Sequence, residues 1–382
     1  MSLYNVGQLK DGVSSLLQGI NLDNVTGLNK ILERAARTLV QKADVPEASG
    51  RQSITLYDGV FDYPAPELIF GGALIDFRPQ GNSRNQLDYV YKKPVELFDR
   101  TKHLLPNGYA LSFEHNKGTG IARIASPKPT SRTILDNMNE DTGWTAAGSA
   151  SALAEDETVY YESPASLRFT LTGSSTGTLT KSINALSIAS YEDVAVGFLA
   201  IRTPSIANLT NISVRVGSSD SAYDEVTETE GFLGAWTVDD WLLVAFDFSG
   251  ATSTGTPDWT AIDYIQVRVA HTGTITNFRV GGFWLALPSP HEMIFQTAAI
   301  FKQSGSLAKT IIDDDTEITL NDAAYSLYEL ECAVAVAEGS SGGNLDGVAQ
   351  GYKLKLKDEL YPNYRADNPS EEVRTIGNYY NE

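Results

Sequence analysis

Hydrophobic residues change period twice along this chain. At its start, Val6, Leu9, Val13, Leu16, Leu17 and Ile20 fall on one helical face, and Leu28, Ile31, Leu32, Ala35 and Leu39 fall on another. "RQSITLYDGVFDYPAPELIFGGALIDFRPQ" then predicts strands, with Ile54, Leu56 and Val60, Phe61 flanking an Asp58-Gly59 hairpin turn. "QLDYVYK" predicts a further strand, "PVELFDRTK" a short helix, and "ALSFEH" with "GIARIAS" a strand pair.

From Ile134 to Leu287 the period is two. Leu167, Phe169, Leu171 alternate with polar partners, as do Ile212, Val214, Val216; Leu242, Val244, Phe246, Phe248; Ile265, Val267, Val269; and Phe283, Leu285, Leu287. Gly, Ser, Thr and Asp fill the gaps, so the stretch predicts a β-sandwich, of a length that suits a jelly roll of about eight strands. After Pro290 the helical period returns. "DAAYSLYELECAVAVAEG" predicts a helix with Asp322 near its start and Gly339 at its end, and Val348, Tyr352, Leu356 and Leu360 share one face of another. Residues 361–382 hold Pro362 and Pro369 and little apolar periodicity, which predicts an extended tail.

The fold class is therefore multidomain α+β. Residues 1–129 lack a closing pair of helices, and 290–382 lack a core of their own, so together they predict one discontinuous domain. Residues 130–289 predict an all-β sandwich inserted in a surface loop of it.

Charge sharpens this division. Formal net charge is −19 over 382 residues. The segment before Thr130 holds 15 basic and 13 acidic residues, 130–289 holds 7 and 19, and the remainder 7 and 16. Such a balance excludes general nucleic-acid affinity. A single cysteine, Cys332, excludes an internal disulfide and sits in an apolar helical pattern, as a buried small hydrophobe does. The opening residues lack a signal-peptide core and the apolar runs are strand-sized, so synthesis and folding in a cytoplasm are the expectation.

No residue set announces catalysis, and no enzyme is expected. Ser175 in "GSSTG" matches a nucleophile elbow but is flanked by strands on both sides; "GSSGG" at 339–343 follows a helix. The acidic runs at 155–157 and 313–315 lack EF-hand spacing. All five tryptophans, Trp144, Trp236, Trp241, Trp259 and Trp284, lie in the sandwich segment. Trp241 and Trp284 are out of phase with the inward residues beside them. They are the candidate glycan-stacking residues, with packing in a second layer as the competing reading.

Two groups of segments carry resemblances. "LYDGVFDYPAPELIFGGALIDFRPQ" with "VELFDRTK", and "AYSLYELECAVAVAE" with "YKLKLKDELYPNY" and "RTIGNYY", resemble the two halves of head-to-tail adaptor (neck) proteins of tailed bacteriophages. The resemblance implies a structural virion protein made in the bacterial cytoplasm. It would be a subunit of a homo-oligomeric ring, twelve-fold by that resemblance, joining portal protein to tail or nozzle proteins. It also implies a C-terminal segment that reaches into the portal, with Tyr361, Tyr364, Arg365, Arg374, Tyr379 and Tyr380 as anchors. "LDNMNEDTGW", "SPASLRFTL" and "TNFRVGGFWLAL" resemble strands of jelly-roll carbohydrate-binding modules. That resemblance implies an alternative role in carbohydrate or receptor binding at a surface glycan. It also implies a structural calcium between an early acid, which Asp136 matches, and a late aspartate. Gly281-Gly282 stands at the late position here; no other cofactor is expected.

Overall fold

The computed structural model describes residues 4–18, 20–43, 45, 48–79, 89–91, 109–116, 120–125, 132–161, 164–339 and 345–367. The chain divides into two compact units, Met1–Ile54, Ala65–Arg123 and His291–Glu382 in one, Thr55–Pro64 and Ile124–Pro290 in the other. The sequence places the joins near 129/130 and 289/290. The structure moves the first to 123/124 and gives the sandwich ten further residues from far upstream.

In the first unit, α1 (Val6–Leu16) opens on a capping box. Asn5 Oδ1 accepts the Gln8 amide at 2.9 Å, and Gln8 Oε1 accepts the Asn5 amide at 3.1 Å. Next come α2 (Leu28–Ala43) and α3 (Asp322–Gly339). Helix α3 begins at Asp322, as expected, and is capped by Asn321, whose Oδ1 accepts the Ala324 amide at 2.9 Å. Helix α3 is apolar nearly all round, and its Tyr328, Cys332, Ala333 and Val336 are fully buried among α1, α2 and the C-terminal helices. The Glu329 carboxylate of α3 lies over Gly12 of α1, in the space a Cβ there would take. No helix among the described residues is long and apolar enough to cross a membrane.

The C-terminal segment corrects the sequence reading. Helix α4 (Leu345–Lys355) passes through a π turn, Leu356–Leu360, into α5 (Tyr361–Asp367). The wider turn rotates the residues that follow it and lies immediately before Pro362, whose ring leaves no N–H to bond to the preceding turn. Tyr361 and Tyr364, expected in an extended tail, are therefore helical and buried in the unit's own core. The Tyr361 hydroxyl donates to the buried Glu331 carboxylate, which Lys42 Nζ also reaches at 3.1 Å. Arg365 belongs to α5; Arg374, Tyr379 and Tyr380 lie outside the described residues, as does "PVELFDRTK".

The Asp58-Gly59 turn forms, with Gly59 at φ 84°. Its arms do not pair as a hairpin. Ser49–Leu56 lies beside Ser289–Thr297, and Phe61 O accepts the Ile124 amide at 2.7 Å.

Among the described residues the sandwich has twelve strands: β1 (Arg132–Asp136), β2 (Thr145–Gly148), β3 (Ala150–Asp156), β4 (Ser166–Leu171), β5 (Ser175–Leu186), β6 (Val196–Arg202), β7 (Leu209–Ser219), β8 (Ala222–Glu228), β9 (Leu242–Asp247), β10 (Thr252–Thr254), β11 (Ile262–His271) and β12 (Ile275–Ala286). One sheet runs β3-β4-β12-β6-β9, with β1 also on β12; the other runs β10-β8-β7-β11-β5-β2. Setting aside the edge strands β1, β2, β3 and β10, eight strands remain. Their orders, β4-β12-β6-β9 and β5-β11-β7-β8, are those of a jelly roll, with the chain crossing between sheets at almost every connection. The alternation read from the sequence supplies the core. Leu167, Phe169, Leu199, Phe246, Val280, Phe283 and Leu285 from the first sheet meet Leu179, Ile212, Val214, Val216, Ile265 and Val267 from the second.

Candidate functional site

Trp284 points away from the sandwich core, as its phase predicts, but it is 3% exposed. Its ring stacks on Phe198 at 5.8 Å, Arg132 lies 5.3 Å above it, and its Nε1–H donates to Asp58 O at 3.0 Å. Tyr57 and Phe232 pack on Phe198, and Tyr63 packs on Phe232. The segment Thr55–Pro64 thus helps to roof this part of the first sheet with a second apolar layer, and Trp284 presents no stacking surface to a ligand. Trp241 remains partly exposed and lies against Tyr161, with ring centroids 5.8 Å apart.

The outer face of the second sheet is built differently. Register fixes three rows of outward residues across β5, β11, β7 and β8. One reads Thr178, Arg268, Ser213, Thr227; the next Thr180, Gln266, Arg215, Glu225; the third Ser182, Tyr264, Gly217, Tyr223. Arg215 Nε donates to Glu225 Oε2 at 2.9 Å, and Arg268 reaches the other oxygen of the same carboxylate. Gln266 Nε2 donates to Thr180 Oγ1 at 2.8 Å, and the Ser213 and Thr227 hydroxyls are 2.8 Å apart. The Arg215 guanidinium sits 4.2 Å above the Tyr223 ring, and burial pushes the neighbouring Tyr264 hydroxyl up against the opposing pull of Arg215.

This face is a flat field of hydroxyls, amide and guanidinium groups on rigid strands. Gln266 Oε1, at its centre, is buried and has no hydrogen-bond partner among the described residues. Glu225 is the only carboxylate in the three rows, and two arginines neutralise it, so the face lacks the paired carboxylates that glycoside cleavage uses. Hydroxyl, amide and guanidinium groups of this kind can hydrogen-bond a ligand rich in hydroxyls. Sequence reasoning missed these residues because each alone is an ordinary outward position; only the register assembles them.

Other candidates resolve as structural. Asp136 Oδ2 accepts Lys181 Nζ at 2.7 Å, and its Oδ1 accepts the Met138 amide at 2.7 Å and Trp144 Nε1 at 3.3 Å. An ammonium thus stands where the sequence resemblance implied calcium. Gly282, at the late position, offers no carboxylate and donates its amide to Asn137 O at 3.0 Å. Among the described residues no three His, Cys, Asp or Glu side chains gather as metal ligands. Ser175 opens β5, so "GSSTG" is a turn between strands. Ser149 Oγ lies 2.6 Å from His271 Nε2, and His271 Nδ1 lies 2.8 Å from Gly273 O. Both residues are buried, and the pair ties the β2–β3 corner to the end of β11.

No protein-family model matches the chain, and no curated protein sequence matches it. Among solved structures it is similar to a family 11 carbohydrate-binding module from Clostridium thermocellum in complex with a β-1,3-1,4-mixed-linked tetrasaccharide. That match has 14% identity and a TM-score of 0.31, over 41% of this chain and 96% of the other. A family 30 carbohydrate-binding module matches at 10% identity and a TM-score of 0.31, over 42% and 98%. The CBM22-1 xylan-binding domain of Paenibacillus barcinonensis Xyn10C matches at 14% and 0.28, over 41% and 93%. Likeness at this level carries no function across; the jelly-roll assignment stands on the strand order.

Proposed function

We propose that the sandwich is a non-catalytic glycan-recognition unit whose contact surface is the outer face of β5, β11, β7 and β8. The observation that carries this reading is the row Thr180, Gln266, Arg215, Glu225, four partly exposed hydrogen-bonding side chains held in register across four strands. Sugar hydroxyls both donate and accept, so they complement such a row, while the Tyr223 and Tyr264 rings bound one side of it. The test is a glycan array with the full chain, followed by titration of the best neutral oligosaccharide into Gln266→Ala and Thr180→Val. Each substitution should weaken binding roughly tenfold, the effect of losing one or two hydrogen bonds to ligand. Unchanged affinity in both variants rejects the assignment.

A second reading concerns the helical unit. Its core joins Val6–Leu17 and Leu32–Ala43 to residues beyond 300, the two halves whose sequences resemble phage neck adaptors. This favours a structural ring subunit in a virion, meeting portal and tail proteins, with the sandwich as its glycan-binding appendage. Tyr361 and Tyr364 have no part as anchors in this reading, because they are buried within the unit; Arg365, Arg374, Tyr379 and Tyr380 are kept. Native mass spectrometry of the purified chain tests it: a closed ring of identical subunits is expected, and a strict monomer at all concentrations opposes it.

A further inference from the structure

The outer face of the first sheet carries a row of a different kind. Register places Arg168 of β4 opposite Arg279 of β12, and Arg279 opposite Arg202 of β6. All three point away from the core, because Leu167, Phe169, Phe278, Val280 and Ile201 beside them are buried within it. Neighbouring strands lie ~4.8 Å apart, so three arginine Cα atoms fall within about 10 Å. Of the seven basic residues between 130 and 289, against 19 acidic ones, three share this row.

Like charges directly opposite one another weaken a sheet, so the row calls for anions. Asp156 supplies one: its Oδ2 accepts Arg279 Nε at 2.9 Å, while the Thr158 hydroxyl and the Thr158 and Val159 amides hold its other oxygen. Among the described residues Arg168 and Arg202 have no carboxylate partner, and Arg202 Nε is buried without a hydrogen-bond acceptor. Two positions along β12 on the same face stands Gly281. The Trp241 ring and Tyr161 lie over it, so that a Cβ there would meet them at 3.3 and 3.2 Å. Both aromatic residues are partly exposed.

We propose that Arg168, Arg202, Trp241 and Tyr161 form an anion-selective subsite for a carboxylated saccharide, on the sheet opposite the polar rows of β5, β11, β7 and β8. Guanidinium groups bind carboxylate through paired, charge-assisted hydrogen bonds, and the aromatic pair takes the adjacent sugar ring. Arg279, already engaged by Asp156, holds the row in register. The identity of the ring rests on the glycan-recognition reading; the preference for negative charge rests on the arginines alone.

The experiment titrates the full chain with tetragalacturonate and with its methyl ester, which keeps the rings and removes the charge. The acid should bind about tenfold or more tightly than the ester, and the difference should shrink in high salt. Arg168→Gln and Arg202→Gln should each remove most of that difference, and neither should alter the binding of a neutral glycan at the outer face of β5, β11, β7 and β8. Both should keep the tryptophan-fluorescence unfolding midpoint, since each relieves like-charge repulsion. Should one not fold, the lysine variant at that position should weaken acid binding yet retain a preference for it. Equal binding of acid and ester, no binding of either, or acid affinity unchanged in the arginine variants overturns the proposal. If acid binding instead falls only in Gln266→Ala, the proposal is also overturned, while the polar face on the other sheet keeps its assignment.

Discussion

Replacing Trp284 by alanine separates a stacking residue from a packing one. In this structure the indole is 3% exposed, stacked on Phe198, covered by Arg132, and hydrogen-bonded through Nε1 to Asp58 O. Truncating a buried tryptophan costs about 3–5 kcal/mol, mostly lost contacts and the cavity left behind. Trp284→Phe keeps most of the apolar area but loses the hydrogen bond to Asp58 O, which costs about 1 kcal/mol. Because all five tryptophans lie between 144 and 284, the fluorescence of the other four reports unfolding of the sandwich unit alone. Urea unfolding followed at tryptophan emission should rank wild type above Trp284→Phe and that well above Trp284→Ala. Neutral-glycan affinity should be unchanged wherever the protein is folded. An alanine variant within about 0.5 kcal/mol of wild type that loses glycan binding would refute the packing account.

Two further outcomes follow from buried ionisable groups. Burial alone would raise the Asp156 carboxyl, but hydrogen bonds from Thr158, Arg279 and Val159 outweigh it and hold the group well below the usual carboxylate range. Its contribution is therefore complete above the unfolded value near ~4 and is lost as pH falls through the folded one. Asp156→Asn should cost about 3 kcal/mol at neutral pH, and urea midpoints should show the gap narrowing in acid; a gap that widens in acid contradicts the assignment. Burial pushes the Cys332 thiol well up, so native protein should resist thiol reagents and become reactive in denaturant; rapid labelling of folded protein would place Cys332 at the surface.

Period-two alternation made the sandwich legible, because inward residues such as Val214, Val267 and Phe283 are apolar for one physical reason, the shared core. The same logic gave Trp284 its outward direction. Alternation could not show what lies on the far side of a strand: the roof over Trp284 includes residues 55–64, more than 200 positions upstream. Sequence proximity likewise misled at Asp58-Gly59, where a good turn joins arms that belong to different sheets. At the C-terminus Pro362 read as a break, yet a π turn just before it set the phase that buries Tyr361 and Tyr364. Both candidate binding surfaces depend on register between strands remote in sequence, Thr180 with Gln266 and Arg168 with Arg279. A jelly roll withholds that information from a reading along the chain.

The central claim, that glycan meets the outer face of β5, β11, β7 and β8, is tested most directly by threonine-methyl NMR. The full chain is titrated with a mixed-linkage β-glucan oligosaccharide or with whichever neutral glycan the array selects. The methyls of Thr178, Thr180 and Thr227 should shift with saturable, common affinity, while Thr133 and Thr170 on the first sheet stay fixed. Shifts confined to Thr133 and Thr170, or saturable binding that moves no threonine of the second sheet, would contradict it.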